Sequence, residues 1–143
     1  MFDTIYAQLV LVVAVAVVSF AFIKGDEPER MAAAAYALVF VAGSMIRDGT
    51  SLSFPRWGFM GLETVLLVVL VGLAIHSRRA WLVWATSFEA MIVTGHILVA
   101  ADLRPPPNAV AAVINMCNYG LLVSMAVGTF WAWQERRAAG FTR

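Results

Sequence analysis

The sequence predicts an all-α integral membrane protein: a bundle of five transmembrane helices, with the N-terminus outside and the C-terminus in the cytoplasm. Three observations carry that expectation. Of the 143 residues, 62% are hydrophobic and only 13% are charged, and the mean hydropathy is +0.81. Soluble domains run nearer half apolar and a quarter charged. The apolar residues fall into five runs of roughly membrane-spanning length. Lys and Arg are distributed unevenly among the segments that join those runs. Residues 1–143 therefore read as a single transmembrane helical domain, with too little polar sequence left for a soluble one.

The first run, residues 5–23, is expected to be an uncleaved span. Only Asp3 is charged ahead of it, and FIKGDEPER follows, so neither a basic leader nor a small-residue cleavage site frames it. The DEPE run that comes next has the form of a helix start. Asp26 caps, Pro28 sits early in the first turn, and the acids face the positive end of the helix dipole. Three acids in four positions also offer weak cation binding, but capping is the simpler reading.

The second span, 28–46, has an apolar part of only about 16 residues and reaches across if Arg30 snorkels to the surface. Its alanines and Gly43 provide a small-residue face for close helix contact. RDGTSLSFPRW, residues 47–57, is the longest connection. The third span, 56–75, carries Glu63. His76-Ser77-Arg78-Arg79 is short enough to force an antiparallel hairpin into the fourth span, 80–101. Pro105, Pro106 and Pro107 form a stiff connector to the fifth span, 109–133. Gly120, Ser124 and Gly128 line one side of that span as a small-xxx-small seam. The tail QERRAAGFTR is short and polar.

With five spans, the side shared by the first loop, the Arg78-Arg79 turn and the C-terminus holds seven Lys and Arg residues against three on the other side. The positive-inside rule makes the richer side cytoplasmic. Trp57 then belongs to the outer interface, and Trp81, Trp84, Trp131 and Trp133 to the inner one.

The chemistry is concentrated in AWLVWATSFEAMIVTGHILVAA, residues 80–101. Glu89 and His96 are seven residues apart, hence on one side of the helix and about 10.5 Å apart along its axis. An acid at mid-membrane costs about 2.5–3.5 kcal/mol on insertion scales, so it should face protein. Counting rise per residue puts Glu63, His96 and Asn115 roughly 9–10 Å below the outer surface. Asn118 is one turn deeper and Glu89 deeper still. Ser44 and Arg47 close the second helix at the outer end, where Arg47 is placed to pair with Glu63. The expectation is an outward-opening cluster of Glu63, Glu89, His96, Asn115, Asn118 and Arg47. It can be read as a proton relay, as a dock for a quinone or similar amphiphile, or simply as hydrogen bonds holding five helices in register at about 0.6 kcal/mol each.

Other chemistry has less support. A net charge of +1 offers no basic stripe, so no nucleic-acid partner is expected. The lone Cys117 can form no intrachain disulfide and no CxxC motif. One membrane His without His or Cys neighbours does not make a zinc site, and no cofactor is expected. Haem ligation by His96 with Met91 or Met116 is conceivable, although a stray Met is usually packing. Ser19, Ser87 and Thr94 lack the His-plus-acid arrangement of a nucleophile. His76 reads as a solvated loop residue.

The segments LAIHSRRAWLVWATSFEAMIVTGHI and NYGLLVSMAVGTFWAW resemble small uncharacterised inner-membrane proteins of proteobacteria. In these, a short basic hairpin leads into a Trp-rich helix with an acid or Gln and then Thr-x-His. The resemblance covers about half the chain and implies a bacterial inner membrane, but no activity. An acid in the first span, as in small multidrug transporters, is missing. The leading expectation is a non-catalytic accessory subunit of a larger inner-membrane complex, respiratory or photosynthetic in type. Its partners would be the lipid bilayer and other membrane subunits or copies of itself. The alternatives are a small proton-coupled transporter or channel using Glu89 with His96, and a quinone- or haem-binding redox protein.

Overall fold

A computed structural model describes residues 5–49, 55–101 and 103–141. Five helices account for nearly all of them: α1 (Ile5–Lys24), α2 (Glu27–Gly49), α3 (Pro55–Ser77), α4 (Ala80–Ala100) and α5 (Pro107–Phe141). Three stretches are long and apolar enough to cross a membrane, namely Trp57–Ser77, Ala80–Ala100 and Asn108–Gly140. In α1 the apolar stretch is the shorter Gln8–Lys24, and α2 includes Glu27, Glu29, Arg30, Arg47 and Asp48 at its ends.

Local chemistry sets the helix ends. Asp26 precedes α2, and the Glu29 carboxylate accepts a hydrogen bond from the Asp26 backbone N–H at 3.0 Å, one half of a capping box. The α3–α4 turn is two residues long: Arg78 adopts the left-handed conformation at φ 52, and Arg79 is extended. Pro107 belongs to α5 as its first residue, rather than to the stiff connector expected from the sequence. A proline is tolerated there because its missing N–H would be unpaired anyway. At its other end α5 continues eight residues past Trp133, where a polar tail was expected. Gln134 to Ala139 are mostly strong helix formers, so nothing stops the turn. At 35 residues α5 is about 52 Å long, against about 30 Å of hydrocarbon in a bilayer.

The packing is a four-helix bundle with a fifth helix laid on it. α2, α3, α4 and α5 each contact the next, and α2 also contacts α5, which closes the square. Among the described residues α1 touches only α2 and α5, and it lies over the groove between them. In lipid, apolar surface gains little from leaving one hydrocarbon for another, so close contact between helices decides what packs. Small residues supply that contact. Ala32 and Ala33 of α2 and Ala85 of α4 are wholly buried, and α1 meets the bundle through Ala14 and Ala21. Gly120 and Gly128 of α5 take the rings of Phe88 and Trp81 from α4. A Cβ on Gly120 would sit 2.7 Å from Phe88, and one on Gly128 would run into the Trp81 indole. The small-residue seam of α5 is thus used inside the chain. Large apolar side chains such as Leu38, Val68, Trp84 and Val123 cover the outside, as expected of a lipid-facing surface.

Candidate functional site

The buried face of α4 runs through Leu82, Ala85, Glu89, Ile92 and Val93. That periodicity turns Glu89 into the bundle, where it is 1% exposed. The Glu63 carboxyl group on α3 lies close enough to interact with it electrostatically. Tyr36 of α2, itself buried, lies within electrostatic range of both acids. Cys117 of α5, also buried, lies within range of Glu89. Each helix of the four-helix bundle therefore contributes one titratable side chain to the same layer. One Glu89 oxygen, Oε1, is buried and has no hydrogen-bond partner.

The other expected members of the cluster are placed differently. His96 lies about 10.5 Å farther along α4; it is half-buried and makes no hydrogen bond or ion pair with a described residue. Asn115 points away from the bundle and is exposed. Asn118 donates its amide to the Ile114 carbonyl at 3.1 Å, within its own helix, and Ser44 likewise donates to Phe40 at 2.8 Å. The side chain of Arg47 lies outside the described residues, so the expected Arg47–Glu63 pair does too. The outward-opening Glu–His–Asn cluster is thus replaced by a Glu–Glu–Tyr–Cys layer. The reason is azimuth. Counting residues from the helix ends sets depth, but the buried face of α5 runs through Cys117, Leu121, Leu122, Ser124 and Met125, and Asn115 lies off it.

Sequence reasoning missed a second polar centre. Glu29 is completely buried, and its carboxylate accepts the Trp81 indole N–H at 2.9 Å. Arg79 lies 3.7 Å from the same carboxylate and donates to Asp26 at 3.1 Å. From α5, Arg136 reaches Asp26 at 3.2 Å and the Lys24 carbonyl. Lys24 and Arg137 both approach the Trp133 ring, at 5.3 Å and 5.0 Å from its centroid. This cap ties the α1–α2 loop, the α3–α4 turn and the end of α5 together. Trp81 faces the bundle and is 4% exposed, whereas Trp57, Trp84 and Trp131 are exposed. The readable signal was Asp26-x-x-Glu29 followed, in another loop, by Arg79 and Trp81. Five antiparallel spans put those loops on one side, but nothing in a single sequence says which of their side chains meet.

Among the described residues, no group of three or more His, Cys, Asp or Glu side chains is arranged to hold a metal ion. No protein-family model, curated protein or solved structure matches the chain.

Proposed function

We propose that the protein is a small proton-coupled transporter or channel of a bacterial inner membrane, with the Glu63–Glu89 pair as its proton-binding group. One observation supports this above the others: a fully buried acid has a second acid beside it and keeps one oxygen without a hydrogen-bond partner. A group kept only to hold helices in register would have its bonds satisfied, because a buried orphan costs about 1–3 kcal/mol. Intramembrane acids facing a bundle interior are proton or ion sites by default. In this reading all five helices lie in the bilayer, and the Lys- and Arg-rich cap faces the cytoplasm. The test is proton flux into liposomes carrying the purified protein and a trapped pH dye. Flux in the native protein that falls to the empty-liposome rate in Glu89→Gln supports the proposal; native protein that moves no protons under any imposed gradient ends it.

A second reading, an accessory subunit of a larger membrane complex, is favoured by Asn115. An exposed amide on an apolar helix seeks a partner, and polar side chains join helices in membranes. Purification from native membranes in mild detergent decides between the two. A stoichiometric complex that dissociates in Asn115→Leu supports the subunit reading.

A further inference from the structure

The end of the bundle that carries the cap also carries charge that the cap does not absorb. Asp26, Glu29 and Glu135 are paired with Arg79 and Arg136. Lys24 and Arg137 form no ion pair among the described residues. Both instead approach the Trp133 ring, their charges 5.3 Å and 5.0 Å from its centroid. The arrangement is held in place from two sides. Arg136 donates to the Lys24 carbonyl and so pins the end of α1 against α5, while Phe130 meets the Trp133 ring edge-on at 6.0 Å. Two cations gathered on one indole repel each other, and the ring face offers only a partial charge to offset them. Toward mid-helix from this pair, Phe22 and Ile23 of α1 and Phe130 of α5 present exposed apolar surface. Trp84 and Trp131 are exposed at the same end and mark the level at which lipid headgroups lie.

We propose that Lys24, Arg137 and Trp133 form a site for one anionic phospholipid. Its phosphate lies between the two cations, and its acyl chains run along Phe22, Ile23 and Phe130. The inference rests on the membrane placement proposed above and is independent of proton movement. Charge selects the headgroup. A net negative one offsets the repulsion between Lys24 and Arg137, whereas a zwitterionic one brings its own cation to a place that already holds two. The Arg137 guanidinium supplies a fork of donors matched to phosphate oxygens, and the Lys24 ammonium a point charge. Place selects a lipid over a soluble anion, because the cations sit at the rim of an apolar surface that only a ligand with chains can cover. Basic pockets between helices at a membrane face recognise acidic headgroups on these terms.

Native mass spectrometry of the purified full-length protein in neutral detergent, titrated with phosphatidylglycerol or phosphatidylcholine, tests this. The first phosphatidylglycerol is expected to bind about tenfold more tightly than the first phosphatidylcholine, the effect of one or two basic groups on an acidic headgroup. Lys24→Gln combined with Arg137→Gln should abolish that preference. Each single substitution should lower it about threefold, so the test does not depend on the double variant folding. Lys24→Arg should keep it. Arg30→Gln combined with Arg78→Gln removes the same charge from exposed positions at the same end and should also keep it. Equal binding of the two lipids by the native protein overturns the proposal, as does a Lys24→Gln, Arg137→Gln double variant that retains the full preference. Loss of the preference in the Arg30, Arg78 variant overturns it too, because the attraction is then a diffuse property of that end. Displacement of bound phosphatidylglycerol by inorganic phosphate overturns the lipid as occupant.

Discussion

Glu29 and Glu89 are both glutamates with essentially no exposure to solvent, yet they live in opposite surroundings. Glu29 spends its oxygens on an indole N–H and a backbone N–H, with a guanidinium close by. Glu89 meets another acid and leaves an oxygen bare. A buried carboxylate with its hydrogen bonds made holds structure together, whereas a buried oxygen without a partner costs about 1–3 kcal/mol. On the proposed reading, that difference separates a structural acid from a functional one where burial alone cannot.

The sharpest way to break the comparison is to remove each acid and read both stability and transport. Glu29→Ala should destabilise the protein by about 3 kcal/mol, since it strands the Trp81 N–H and takes a carboxylate from Arg79. Thermal unfolding in detergent measures it, and an unchanged midpoint would remove Glu29 from its structural role. Glu89→Gln should do the reverse, lowering proton flux by about 10²-fold while leaving the unfolding midpoint equal to the native value or above it. Gly128→Ala probes the contact that seats Trp81. Crowding the indole should destabilise by about 1–3 kcal/mol and lower transport only in proportion to the folded fraction. Arg136→Ala should matter least. Its side chain is 46% exposed, and half-exposed ion pairs contribute about 0–1 kcal/mol; a larger loss would mean that the cap is cooperative.

How much of this was legible beforehand differs between backbone and site. The five helices could be read because each apolar run is bounded by its own punctuation: Asp26 and Pro28, the Arg78-Arg79 turn, Pro107. Glu63 and Glu89 could be picked out because acids in apolar runs are conspicuous. Their partners could not. Tyr36 looks like one more aromatic beside an alanine run, and Cys117 like one more buried thiol, until the bundle brings four helices to one level. Asn115 and Asn118 misled for the complementary reason: conspicuous polarity fixes neither the direction in which a side chain points nor whether its own helix already satisfies it.

The placement of α1 bears on how the chain is made. This helix leaves the ribosome before the other four, yet half of the groove it occupies belongs to α5, which follows them. During synthesis α1 has only α2 to lean on, and its final seat exists once the other four helices have closed. The earliest made of these five helices is then the last one docked, and quality control acting on a half-made chain would meet α1 undocked on one flank.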